Sequence, residues 1–124
     1  MIYGIGVDIL STNRLEDLRG KYDDSFFRKT FSEKEYEAGV KRTDPIKYFS
    51  GRFAAKEAVF KALDIDSGAF RFSEIETLNN GSGKPYVVLY GRVKQFCEDK
   101  GIKRLHISLS NDKGYVTAFV ICET

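Results

Sequence analysis

Residues 49–63 read FSGRFAAKEAVFKAL, and nothing in this run except Gly51 opposes a helix. Just upstream, Asp44 and Pro45 place an N-cap acid before a proline at the first helical position. One long helix is therefore expected from Pro45 to Leu63. Ala54, Ala55, Ala58 and Ala62, with Val59, make a stripe of small residues that lets this helix approach a sheet closely. Glu57 and Lys61 are four apart and share a face. The plain reading of that pair is a surface ion pair worth a few tenths of a kcal/mol. Phe53, one turn before Glu57, and Phe60, next to Lys61, make the face less than fully solvated. Arg52 and Lys56 add further cations within a turn, and a carboxylate among cations suits a metal-bound polyphosphate.

Upstream of the helix, Ile2 to Ile9 is apolar and β-branched with two glycines, the pattern of a buried strand. Asp8 falls at its end, where an aspartate either caps the next turn or presents a carboxylate. Ser11 or Thr12 offers an N-cap for a short helix toward Gly20, and residues 23–31 suggest a helical turn or two. Ser32 and Glu35 have capping-box spacing, which predicts a helix from Glu33 to Val40.

Downstream, Phe70, Phe72 and Ile75 to Leu78 predict a strand, residues 79–83 a turn, and Pro85 to Tyr90 a second strand. Gly91 and Gly101 bracket a short helix with Val93, Phe96 and Cys97 inward. Lys103 to Ser110 and Tyr115 to Cys122 are the last two strands, joined by a hairpin turn at residues 111–114. Helices gather early and strands late. The expected class is α+β: a single domain over residues 1–124, with a mainly antiparallel sheet packed on the long helix.

Composition excludes several functions. A formal net charge of +2 is far from the basic excess that a nucleic-acid backbone selects. No apolar run approaches a membrane span of roughly 18 residues. Cys97 and Cys122 are far apart with no metal-ligand spacing, as expected of free thiols in a reducing compartment. With no secretion signal at the start, the expected localisation is cytoplasmic. Arg14, Arg19, Lys21, Arg28 and Lys29 lie close together near the start. They read either as a solvated helix face or as a docking face for an acidic partner.

Two further segments carry polar groups suited to a ligand. NNGSGKP, residues 79–85, is not a phosphate-binding P-loop, because Leu78 and Pro85 stand where that motif needs glycine and a hydroxyl residue. Gly83 and Lys84 nonetheless offer backbone N–H groups and a cation to a phosphate. In LHISLSND, residues 105–112, alternation puts His106, Ser108 and Ser110 on one strand face. That face is either a solvated polar surface with a structural histidine or a ligand contact.

Together, GIGVDI with Arg14 six residues after Asp8, GRFAAKEAVFKAL, GKPYV from Gly83, and HISLSND from His106 resemble four motifs of one family. The family is the holo-acyl-carrier-protein synthases, the small bacterial phosphopantetheinyl transferases. Order and spacing match, and the resemblance covers essentially the whole chain. Asn111 departs from it, standing where relatives commonly carry histidine, and this bears on local coenzyme A contacts.

The resemblance implies an enzyme that moves 4′-phosphopantetheine from coenzyme A to a serine of apo-acyl carrier protein, releasing 3′,5′-ADP. It also implies a homotrimer with active sites between subunits. By that analogy Asp8 and Glu57 ligate Mg²⁺, with Mn²⁺ an alternative because both suit oxygen ligands. Lys61 sits beside the diphosphate, Arg52 and Lys56 lie near the phosphates, and Gly83, Lys84, Pro85, His106, Ser108 and Ser110 contact coenzyme A. Arg14, Lys21 and Arg28 meet the acidic carrier protein. Glu57 is the candidate base for the serine, directly or through a metal-bound water. The other function classes are a non-catalytic module that binds carrier protein or coenzyme A, and a small nucleic-acid-binding domain. The first has no need of paired Asp8 and Glu57, and the second is opposed by the modest charge.

Overall fold

The computed structural model describes residues 1–22 and 24–124, with the side chains of residues 20–22 also outside the description. The chain runs β1 (Ile2–Ser11), α1 (Thr12–Tyr22), α2 (Ser25–Thr30), α3 (Glu33–Val40) and α4 (Pro45–Leu63). It continues through β2 (Ile75–Asn79), β3 (Pro85–Leu89), α5 (Gly91–Asp99), β4 (Arg104–Asp112) and β5 (Tyr115–Glu123). The class is α+β, and every strand pair is antiparallel. The strands divide between two sheets: one ordered β1-β5-β4, and a separate hairpin of β2 and β3. None of the described helices is long and apolar enough to cross a membrane.

Helix starts follow their local chemistry. Asp44 accepts a hydrogen bond from the Lys47 N–H and caps α4. At α3 the capping box is complete, with the Ser32 hydroxyl accepting from the Glu35 N–H and the Glu35 carboxylate accepting from the Ser32 N–H. At the far end, Lys113 and Gly114 take left-handed φ values of 47° and 83° and turn β4 into β5. Two expectations change. β1 extends to Ser11, so Asp8 lies within the strand and not at its end. The aromatic run before β2 forms 3₁₀ turns at residues 67–69 and 72–74 instead of a strand.

Phe72 explains the second change. Its ring stacks on Phe53 at 5.3 Å and meets Phe60 edge-on at 5.2 Å. The turn drops it onto α4. Phe27, Phe31 and Phe49 form a second aromatic group, with Phe31 and Phe49 rings 4.8 Å apart. Each such fully buried ring contributes roughly 1.5–3 kcal/mol over exposure.

α4 is the centre of the core. Residues on nearly its whole circumference are buried, and beyond the first turn only Glu57 and Lys61 are not. β1 lies directly against it. A Cβ at Gly4 would run into the carbonyl oxygen of Ala62, and one at Gly6 into that of Ala58. Gly6→Ala must therefore push strand from helix, and is expected to cost about 1–3 kcal/mol of stability. Urea unfolding should show a lower midpoint at unchanged slope; an unchanged midpoint would contradict this packing. Cys97 and Cys122 are buried, and burial pushes their thiols up to about 11 and about 12. Neither is a thiolate at neutral pH, so neither is a nucleophile in the folded chain.

Candidate active site

β1 alternates across the sheet. Gly4, Gly6, Asp8 and Leu10 face α4, while Ile5, Val7 and Ile9 face away and are 60%, 56% and 66% exposed. Asp8 is thus carried to the seam between β1 and α4, where the two open residues of α4 meet it. Lys61 Nζ donates to the Asp8 carboxylate at 3.2 Å and to the Val7 carbonyl at 3.0 Å. Burial pushes the Glu57 carboxyl above its ordinary range, and the negative charge of Asp8 pushes it further. Lys61 and Arg14 act in the opposite direction, which places Arg14 within electrostatic reach of this pair. The structure brings Asp8, Glu57 and Lys61 together from a strand and a helix.

The donor chemistry fits a hard divalent cation. Two mutually repelling carboxylates are relieved by a cation between them, and Mg²⁺ commonly takes one or two carboxylates, with water and phosphate oxygens completing its shell. Among the described residues no group of three or more His, Cys, Asp and Glu side chains could cage a metal. That donor count leaves room for substrate oxygens, as a catalytic Mg²⁺ site requires.

The other candidates are dispersed. His106, Ser108 and Ser110 are exposed on the face of the sheet opposite Asp8, in register with Ile121, Phe119 and Thr117. His106 Nε2 lies 3.0 Å from a Glu123 carboxylate oxygen, and this hydrogen bond holds the Glu123 carboxyl below its ordinary value. Within one chain these side chains do not share a surface with the carboxylates.

Arg52 is buried beneath the Tyr48 ring, its guanidinium carbon 4.3 Å from the ring centre. One guanidinium nitrogen donates to Asn79 Oδ1 at 3.0 Å, while Nε has no partner among the described residues. It lines a cleft of about 380 Å³ with Arg42, Lys47, Ser110 and Asn111. Arg42 and Lys47 were not singled out from the sequence. Their signal was the run of cations at 41, 42 and 47 flanking the α4 cap.

Two expectations need correction. Lys56 is not near any surface that a phosphate can reach, because its side chain is 0% exposed. Its ammonium donates to Glu35 at 2.8 Å, to the Phe72 carbonyl at 3.0 Å and to the Ile75 carbonyl, so all its protons are spent inside the protein. Burial pushes the Lys56 ammonium below its ordinary value, and the Glu35 charge opposes that. In the turn before β3 the Gly83 and Lys84 N–H groups are also closed to anions. Gly83 N–H donates to the Asn80 carbonyl at 2.9 Å and Lys84 N–H to Asn80 Oδ1 at 3.0 Å. The exposed Lys84 side chain, next to half-buried Pro85, stays open to a ligand there.

Of the basic residues near the start, Arg14 is exposed beside the carboxylate pair. Arg28 bonds Asp24 at 2.8 Å and covers the Tyr36 ring, with its side chain still 66% exposed. The Lys21 side chain lies outside the described residues.

Comparison with known proteins agrees with this architecture. Residues 4–120 match the sequence model of the 4′-phosphopantetheinyl transferase superfamily. A holo-[acyl-carrier-protein] synthase of Syntrophus aciditrophicus (strain SB) is 38% identical over 124 residues, covering 99% of this chain and 97% of the relative. The synthase of the same name from Vesicomyosocius okutanii is 40% identical, covering 99% and 98%. Among solved structures, the holo-[acyl-carrier-protein] synthase of Neisseria meningitidis superposes with a TM-score of 0.93 at 34% identity, covering all of both chains. The Helicobacter pylori synthase, solved in complex with coenzyme A, superposes at 0.82 with 28% identity, over 96% of this chain and 99% of the other.

Proposed function

The chain belongs to the 4′-phosphopantetheinyl transferase superfamily, among the holo-acyl-carrier-protein synthases, and we propose that Asp8, Glu57 and Lys61 form the centre at which it works. The reaction is transfer of 4′-phosphopantetheine from coenzyme A to a serine of apo-acyl carrier protein. The observation that carries the site is the seam between β1 and α4. A helix otherwise buried beyond its first turn leaves Glu57 and Lys61 open, and both meet the inward carboxylate of Asp8.

In the proposed step the serine oxygen bonds to the phosphorus that carries pantetheine. The bond from that phosphorus to the bridging oxygen breaks, and 3′,5′-ADP leaves with the electron pair. Such transfers need mainly positioning and charge neutralisation. Asp8 and Glu57 would hold Mg²⁺, or Mn²⁺ in its place, which when bound would neutralise the diphosphate. Lys61, fixed by the Val7 carbonyl and Asp8, would add a positive charge on the leaving side. Glu57 would accept the serine proton, directly or through water.

Coenzyme A would extend from this seam. The cleft with Arg42, Lys47 and Arg52 suits a phosphate, since Arg52 Nε is buried and without a partner among the described residues. Lys84, Pro85, His106, Ser108 and Ser110 would supply the remaining contacts. For His106 and Ser108 that requires a second copy of the chain, because they lie on the face opposite Asp8. The exposed apolar strip of Ile5, Val7, Ile9 and Phe119 on that face supports self-association, and the family resemblance makes the expected assembly a homotrimer with active sites between subunits. Arg14, and beyond it Arg28, would receive the acidic carrier protein close to the reacting atoms. The free, buried cysteines suit the reducing cytoplasm.

Lys61→Ala should lower kcat by about 10²-fold or more with a much smaller change in KM for coenzyme A. An effect confined to KM would remove Lys61 from the transition state. The reaction is tested by chromatography of the nucleotide product. 3′,5′-ADP should appear in step with carrier-protein consumption, and not when carrier protein is omitted or EDTA is added. Coenzyme A binding without any nucleotide release would favour the non-catalytic binding module.

A further inference from the structure

The hairpin of β2 and β3 is not hydrogen-bonded into the β1-β5-β4 sheet, so no ladder sets its position. Ile75, Val87 and Leu89 pack it on the core, but apolar contact is not directional and does not by itself fix a strand's register. Directional ties come instead from buried polar side chains of the helical layer. Lys56 donates to the Ile75 carbonyl, and the Glu35 oxygen not facing Lys56 accepts the Thr77 N–H at 2.9 Å. Between them, Glu76 is buried and accepts from the Ser32 hydroxyl at 2.6 Å and the Tyr90 hydroxyl at 2.8 Å. Arg52, one turn before Lys56, bonds the Asn79 side chain at 3.0 Å. These ties fall at residues 75, 76, 77 and 79 of one strand, and Lys56 and Glu35 at their centre are both 0% exposed.

A lysine and a glutamate buried together in this way are a poor source of stability, because desolvation offsets their attraction. What the pair does supply is geometry. We propose that Lys56 and Glu35 are positioning residues that set the register of the β2–β3 hairpin against α4. They thereby hold the turn at residues 80–84 in fixed relation to Glu57, the next residue along the helix. The inference rests on the proposed function, in which Lys84 and Pro85 and the Glu57 seam serve the same coenzyme A. It assigns the lysine of the FAAKE run a task away from substrate: it locates a binding element and touches neither phosphate nor metal.

The test uses the full chain as Lys56→Met, and as Lys56→Met/Glu35→Leu, which removes the two buried charges of the pair together if the single variant fails to fold. Hydrogen exchange read by mass spectrometry should accelerate across residues 75–89 about tenfold or more beyond the change in β1, β4 and β5, which follows the global loss of stability. Kd and KM for coenzyme A should rise about tenfold while kcat at saturating coenzyme A stays within about threefold. Exchange at 75–89 unchanged, or raised evenly over the chain, would overturn the proposal, as would a fall in kcat at unchanged KM. If the wild-type protein makes no product, the proposed function fails. The exchange pattern and calorimetric coenzyme A affinity then still decide the clamp.

Discussion

Glu57→Gln is expected to reduce turnover by roughly 10²–10⁴-fold, the range for losing a positioned acid–base group. That corresponds to about 3–5 kcal/mol of transition-state stabilisation. The substitution keeps the size of the side chain and removes its charge. It therefore removes the proton acceptor and half of the carboxylate pair without opening a cavity. Asp8 loses the neighbour whose charge its own opposes, so the fold itself should be unharmed or slightly relieved. Circular dichroism and the unfolding midpoint should match wild type while product formation collapses. Near-normal turnover at saturating Mg²⁺ would remove Glu57 from the mechanism. Asp8→Asn is the companion measurement. It spares the base, so its loss should be partly recovered by raising the metal concentration, whereas the loss in Glu57→Gln should not.

The second large effect is on folding. Lys56→Met alone should cost about 3–5 kcal/mol, because it leaves Glu35 charged, buried and unpaired. A domain of this size has only about 5–15 kcal/mol in total, so the thermal midpoint should drop by on the order of 10–20 °C. Lys56→Met/Glu35→Leu removes both charges but also the Glu35 bonds to the Ser32 and Thr77 N–H groups, so it should recover part of that loss and give a non-additive cycle. Additive losses would mean that the two side chains do not act as a pair.

Much of the fold was legible because local chemistry and tertiary demand agree. Asp44-Pro45 and the Ser32–Glu35 box start helices at the expected residues, since capping groups act over one turn and need no partner from afar. The residues around Phe70 and Phe72 mislead because aromatic, β-favouring side chains suggest a strand. The pull of Phe53 and Phe60 on the Phe72 ring decides the backbone there.

Lys56 is the instructive case for the site. Its charge suggested a phosphate contact, and its partner Glu35 is 21 residues away, beyond any local pattern. The periodicity did carry the answer. Phe49, Phe53, Lys56, Phe60 and Leu63 follow helical spacing, so Lys56 sits within the apolar stripe. Glu57 and Lys61 fall off that stripe, and they are the residues of α4 beyond its first turn that stay open. The placement of His106, Ser108 and Ser110 on the opposite sheet face was not legible, because alternation gives two faces without saying what covers each.

The central claim is transfer to a carrier protein, and intact mass spectrometry of apo-acyl carrier protein tests it most directly. The protein would be incubated with coenzyme A and Mg²⁺, with an EDTA control beside it. The expected result is a gain of one phosphopantetheine per carrier protein, abolished by EDTA and strongly reduced in Glu57→Gln. No mass gain across several carrier proteins, with the enzyme folded and metal present, would contradict the account.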